Sequence, residues 1–308
     1  MNRAAEPLVP ASVGRVIPDP VRAAWLWSML AVGLVAGLPA LTPGRTTASF
    51  TLAFLTLCLG HSVGLHRGLI HRTYESARWL RGLLAWLFVL SGLGGPLAWA
   101  RLHAVRDHWQ SRPDCPRYFA YDHSLARDFV WNLHLRFVPA DARAEERLPP
   151  DVLGDPWLRF LDRTWPLHVL ALAVLLYLQD GPGAVAVCLC ARTAAGILGH
   201  WFIGYAAHRW GRRPHVVAGA KESGTNVWIL GLLSFGEGFH NNHHAFPRSA
   251  RMGLQAHELD LGWLVLRLLR RLGLVHDVRE AGVGAGAPAF SPRTRGGVPR
   301  SRSRAPRA

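Results

Sequence analysis

"AAWLWSMLAVGLVAGLPAL", Ala23 to Leu41, and "TTASFTLAFLTLCLGHSVGL", Thr46 to Leu65, decide the fold. Each supplies the roughly 20 apolar residues an α-helix needs to cross a bilayer. The link between them, centred on "TPGR", is short and holds Pro and Gly, so the two read as a membrane hairpin. A second pair follows: "WPLHVLALAVLLYL" from Trp165, extended at its start by Phe160 and Leu161, and "GAVAVCLCARTAAGILGHWFIGYAAH" from Gly183. These are joined by "QDGPG". The expectation is an all-α integral membrane protein with four transmembrane helices in two hairpins. The first span lacks a short apolar core followed by a small-residue cleavage pattern, so it reads as a retained span rather than a signal peptide.

The two short links hold a single basic residue, Arg45, whereas the other non-membrane segments hold nearly all the arginines. By the positive-inside rule both termini and the middle of the chain face the cytoplasm. The formal net charge of +15 is dispersed through juxtamembrane loops and the tail "SPRTRGGVPRSRSRAPRA", with no nucleic-acid-binding module. Attraction to an anionic leaflet accounts for it, and no nucleic-acid partner is expected. Cys58, Cys188 and Cys190 lie in apolar spans and Cys115 in a loop, which indicates neither a disulfide framework nor a CxxC zinc site.

Residues 1–22 and 281–308 lack apolar periodicity and are expected to be disordered, leaving residues 23–280 as the membrane domain. "GVGAGA" near Gly282 neither follows a strand nor opens a helix and reads as linker. Ala77 to Ala100 is apolar, but Gly92, Gly94, Gly95 and Pro96 interrupt it after about twelve helical residues, short of a crossing. A crossing there would also separate His66 and His71 from His103, so an interfacial or re-entrant helix is expected. Leu259 to Val275 interleaves apolar residues with Arg267, Arg270 and Arg271, as a helix on the membrane surface or against the cytoplasmic domain does. Pro139 to Pro156, charged and proline-rich, reads as a solvent loop.

Histidines gather at the cytoplasmic ends of the spans, which gives the expected architecture its histidine-rich helical cap. His61, His66 and His71 follow the second span, His103 and His108 lie in "WARLHAVRDHW", His208 ends the fourth span, and "GEGFHNNHHAFP" adds His240, His243 and His244. The i, i+3, i+4 spacing of the last three puts them on one side of a helical turn, within reach of a common metal site. His66 and His71 are five apart, a rotation of about 140° on a helix of 3.6 residues per turn. They therefore serve two metal ions or sit where the helix is distorted.

"HRGLIHRTY", "GEGFHNNHHAFP" and "AAH" ending at His208 resemble the first and third histidine boxes and the isolated ligand histidine of the membrane fatty-acyl desaturases of the acyl-CoA desaturase type. The resemblance runs from about Ala23 to Val278, in the same hairpin–box–hairpin–box order. There is a departure. Where the family's second box reads HxxHH, "HAVRD" keeps His103 but has Arg106 and Asp107 in place of two histidines. A guanidinium offers no lone pair. Asp107, at i+4 from His103, lies on the same helix face and is a good ligand for non-haem iron. The alternatives are that His108 swings in, that one metal position is weaker or empty, or that Arg106 and Asp107 form a solvated ion pair. The family's water-holding asparagine near the fourth span is absent too, with Gly204 in its place. His61 is a packed residue or a support behind the ligands, and His123, His134, His168, His215 and His257 have no ligand-like spacing.

Seven imidazoles, from His66, His71, His103, His208, His240, His243 and His244, exceed what one tetrahedral zinc takes, so two metal ions are implied. Imidazole with carboxylate or water suits iron among redox metals. The resemblance implies a di-iron centre that uses O2 to introduce a cis double bond into the acyl chain of an acyl-CoA or a lipid. The electrons come from a separate ferredoxin or cytochrome b5-like carrier docking on the basic face, because neither a haem-pair motif nor a four-cysteine cluster is present. Gly60, Gly64, Gly92, Gly94 and Gly95 leave room for an acyl chain or serve helix packing. The competing readings are a di-iron acyl hydroxylase and a non-catalytic protein that binds metal or lipid.

Overall fold

The computed structural model describes residues 7–143 and 146–281. Three helices are long and apolar enough to cross a membrane: Pro20–Gly37, Pro43–Ile70 and Pro156–Arg209. The first, α1, is opened by Asp19, whose carboxylate accepts from the Arg22 N–H, with a proline in its first turn. The second, α2, is α-helical to Ala53 and π-helical from Phe54 to Ile70. Its start is capped by the Thr42 hydroxyl.

The third is 54 residues long and is not straight. Its first part, Pro156–Ala184, breaks at Asp180 and Gly181, whose φ of +68° is the left-handed conformation that glycine tolerates. A π-helical stretch, Val185–Ala191, then leads into Arg192–Arg209. At the break Asp180 receives a forked pair of hydrogen bonds from Arg45, at 2.7 and 3.0 Å, tying the two short links together. Close helix approach makes α1 a partner of Val185–Ala191: a Cβ on Gly33 would lie 2.8 Å from the Ala191 Cα.

Between the first and second histidine segments, α3 (Arg78–Val89) is a twelve-residue helix that ends in a turn before α4 (Pro96–Gln110). That is too short to cross, as the glycine interruption predicts. The carbonyls at the turn are taken up by the flanking spans. Arg192 donates to Leu90 O, the Thr193 hydroxyl to Ser91 O, and Trp25 Nε1 to Gly92 O. Irregular backbone beside apolar spans is sustained in this way, by burial in protein. Gly60 and Gly64 of α2 pack on α3: a Cβ at Gly60 would lie 2.4 Å from the Phe88 N and one at Gly64 2.6 Å from the Leu84 Cβ. Both glycines serve helix packing, and neither leaves room for an acyl chain.

Several expectations are corrected. The N-terminal stretch is ordered from residue 7: β1 (Gly14–Pro18) pairs antiparallel with β3 (Leu135–Pro139), and Val9 is buried against Trp109, Tyr118 and Phe119. Val13, Val16 and Ile17 give this segment enough apolar surface to order it. Residues 1–6 and all but Ala281 of the expected C-terminal tail, GVGAGA included, lie outside the described residues. The charged 139–156 segment is no simple solvent loop, since Leu148 and Val152 enter the core with Leu65, Leu69, Phe88 and Leu161. The helix Leu261–Arg271 turns Trp263 and Leu266 into a cluster with Val63, Tyr74 and Leu84 while Leu264 and Leu268 stay exposed, so it packs on α2 by one face only. Two-residue strands, Glu75–Ser76 (β2) and Val275–His276 (β4), close that corner. The chain is thus mostly helical, with two small two-stranded pairings among the described residues.

Candidate metal centre

Seven histidines from four segments converge into two groups. His66, His71, His103 and His243 form the first, and His208, His240 and His244 the second; within each, the prospective ligand atoms lie within 4.8 Å of one another. The groups abut through the ring pairs His240–His243 and His243–His244, with centroids 5.5 and 5.8 Å apart.

The first group depends on the winding of α2. The His71 N–H bonds the His66 carbonyl at 3.1 Å, five residues back, as in a π-helix. The wide turn brings residues i and i+5 together, and the two Nε2 atoms stand 3.1 Å apart. Donors bound at about 2.1 Å to one ion have that separation. Of the two readings of the five-residue spacing, the distorted helix is the one observed.

The third box is distributed differently from the common site expected of its spacing. On the short helix His240–Ala245, His243 faces His66 and His71, with centroids 4.8 and 4.6 Å away, while His240 and His244 face His208. Adjacent helical residues diverge by about 100°, so His243 and His244 point to opposite sides of the turn. The asparagines between the histidines are scaffold. Asn226 Oδ1 accepts from the N–H groups of Asn241 and Asn242 at 3.0 and 3.2 Å, and Asn242 donates to Glu258 and to Met252 O.

Carboxylates stand behind the rings. Glu237 Oε2 is 2.5 Å from His66 Nδ1, which leaves Nε2 to a metal. Glu222 Oε2 is 3.2 Å from His208 Nδ1 and orients that ring in the same way. Glu237 is itself held by Arg67, a wholly buried arginine that also donates to both oxygens of Asp260, to Ala250 O and to Ser62. Sequence reasoning assigned no role to Arg67, Glu222 or Glu237. The glutamate inside GEGF was the one visible signal.

Asp107 Oδ2 lies 3.1 Å from His103 Nδ1 and 3.7 Å from His71 Nε2, at the rim of the first group. Burial works to raise this carboxyl, but His103 and His71 outweigh it and hold it below the usual carboxylate range. Conversely, Asp107 overcomes the effect of burial on His103 and raises it. Burial pushes His71 down to about 4 and His244 to about 3, and lowers His240 and His243 as well. These four rings are neutral at physiological pH, with lone pairs available to a cation.

Arg106 turns away. Its guanidinium donates to Tyr121 Oη at 3.3 Å and to Asn132 Oδ1, and lies 5.9 Å from the centroids of the Tyr118 and Phe119 rings. The Tyr121 ring is stacked on His208 at 4.2 Å, and its hydroxyl lies 3.5 Å from where a Cβ of Gly204 would be. Arg106 and Asp107 are therefore not paired with one another. His108 does not swing in either, since its Nε2 meets Arg147 at 3.3 Å on the surface. His61 packs behind the first group, 6.2 Å from His66 and 4.8 Å from His200, a further histidine the spacing argument passed over. His123 is bonded to Asp128 at 2.7 Å and belongs to the scaffold.

The donor chemistry fits metal. Neutral imidazoles face one another with no other use for their nitrogens: among the described residues, the buried His243 Nδ1 and His244 Nε2 have no hydrogen-bond partner. A family model described as fatty acid desaturase matches residues 40–276. The sn-1 stearoyl-lipid 9-desaturase of Anabaena variabilis is 30% identical over 267 residues, 83% of this chain and 94% of that protein. The acyl-CoA C20 Delta5-desaturase of Anemone leveillei is 30% identical over 75% of this chain and 72% of its own length. Delta-9 acyl-lipid desaturase 2 of Arabidopsis thaliana is 32% identical over 74% and 73%. With the histidine groups in place and the match running through most of the chain, this protein belongs to the fatty acid desaturase family and, with it, to the oxidoreductases.

Proposed function

We propose that the chain desaturates the acyl chain of an acyl-CoA or of a membrane lipid, with two iron ions held by His66, His71, His103, Asp107 and His243 on one side and by His208, His240 and His244 on the other. The observation that carries this reading is the convergence of seven imidazoles into two adjacent groups. Bound iron supplies the oxidising power by which O2 removes hydrogen from an unactivated methylene pair. The balance is one O2, two electrons and two protons taken up, and two waters and one double bond formed. The electrons come from a separate one-electron carrier, a ferredoxin or cytochrome b5-like protein. The chain's own part is to fix ring tautomers through Glu237 and Glu222 and to hold the imidazoles in place through the buried Arg67 and Asn226 contacts.

The membrane arrangement belongs to the same proposal. The break at Asp180 and Gly181 divides the third apolar helix into two spans, making four in two hairpins. The Arg45–Asp180 link marks the outer end, and the histidines lie at the opposite ends of α2 and Arg192–Arg209, on the arginine-rich cytoplasmic side. Residues 23–280 form the enzymatic domain.

Expression in a host without its own desaturase, with analysis of total acyl chains, tests the reading. Chains that have lost two hydrogens are expected, and His240→Ala abolishes them. Chains that gain one oxygen instead identify a hydroxylase, the alternative reading of the altered second box. Unchanged acyl chains alongside two tightly bound irons mark a metal-binding protein without this activity.

A further inference from the structure

The two groups are not equivalent. The first has four imidazoles and a carboxylate 3.1 and 3.7 Å from two of them. The second has three imidazoles, and Glu222 is turned to the back of His208. Residues 103, 106 and 107 share one face of α4. A ligand at 106 would stand beside the second group, because Arg106 reaches Tyr121, whose ring covers His208. What stands there is a guanidinium, which has no lone pair.

We propose that the two positions fill unequally and in order: the His66–His71–His103–His243 position binds first and tightly, and the His208–His240–His244 position binds weakly because Arg106 withholds a fourth protein donor. This rests on the two-ion reading above. Ligand number and ligand charge both favour the first position. At the second, three protein donors leave coordination sites to small exogenous ligands, as three-histidine catalytic sites do. The second ion is then the exchangeable one, and Tyr121 and Glu222 keep His208 oriented while it is away.

Anaerobic titration of the metal-free full-length protein in detergent with cobalt(II), followed by ligand-field absorption, tests this. Two steps of one ion each are expected, the second at least about tenfold weaker, as loss of a donor or its support commonly costs 10–100-fold. His243→Ala should remove the tight step and His240→Ala the weak one. Arg106→His should tighten the weak step about tenfold or more, while Arg106→Gln, which removes the charge without adding a ring, should change it less. Two steps of equal affinity, or His240→Ala abolishing the tight step, overturn the proposal and leave the two-ion reading intact. Equal tightening by Arg106→His and Arg106→Gln overturns the missing-donor explanation. Failure to bind cobalt at all overturns the two-ion reading along with it.

Discussion

The first histidine group is assembled by long-range electrostatics, the second by short-range stacking. His66 is oriented by Glu237, which Arg67 holds together with Asp260, so residues nearly 200 positions apart share one buried charge network. His208 is oriented by Glu222 and covered by the Tyr121 ring, whose hydroxyl accepts from Arg106. A site anchored by a buried arginine is rigid at the cost of depending on every partner of that arginine. A site anchored by a stacked ring depends on fewer partners and has fewer donors.

The largest test of this contrast is to cut the network. Arg67→Met leaves the buried Asp260 and its neighbour Glu237 without their shared cation, a loss of about 3–5 kcal/mol, and Asp260→Asn, which leaves Arg67 with Glu237 alone, costs less. Thermal melting in detergent should show it as a large fall, and metal should leave the first position before the second. Tyr121→Leu, which removes the stacked ring, should leave the melting temperature much nearer that of the wild type. A similar fall in both variants would erase the distinction.

A smaller effect separates the two supporting carboxylates. Glu237→Gln should weaken metal binding at the first position and Glu222→Gln at the second, each by about 10–100-fold. Isothermal titration of each variant reads the two steps separately. Loss of the same step from both would mean that the groups act as one site.

The smallest effect is in pH dependence. The raised His103 contributes stability to the metal-free protein that is fully present below its ordinary value of 6.5 and is lost as pH rises through the folded value. The depressed Asp107 contributes stability present above 3.8 and lost as pH falls through its folded value. The metal-free wild type should therefore lose a little melting temperature relative to Asp107→Asn between pH 6 and 8. The effect is modest because the carboxylate is 35% exposed. Parallel curves for the two proteins would show that the pair adds nothing.

How much was legible in the sequence follows from which relations are local. The spacing in HRGLIH and HNNHH marked five of the seven imidazoles that converge, His103 and His208 were marked by their likeness to family motifs, and the glycine and proline run after Val89 marked the end of α3. The division of HNNHH between two groups was not legible, because it depends on which distant rings approach each side of the short helix His240–Ala245. Arg67 was silent for the same reason: an arginine beside a histidine box does not reveal that its carboxylates lie at 237 and 260. The N-terminal strand escaped notice because Val16 and Ile17 matter only once Leu135–Pro139 lies beside them.

One consequence follows from the π-helical run of Phe54 to Ile70. Were it to tighten to ordinary α pitch, His71 would swing about 140° away from His66. An ion held by both rings would work as a clasp on the coil, and its loss would free the end of the helix to rewind. Amide exchange at His71, whose N–H bonds the His66 carbonyl, would report that rewinding directly.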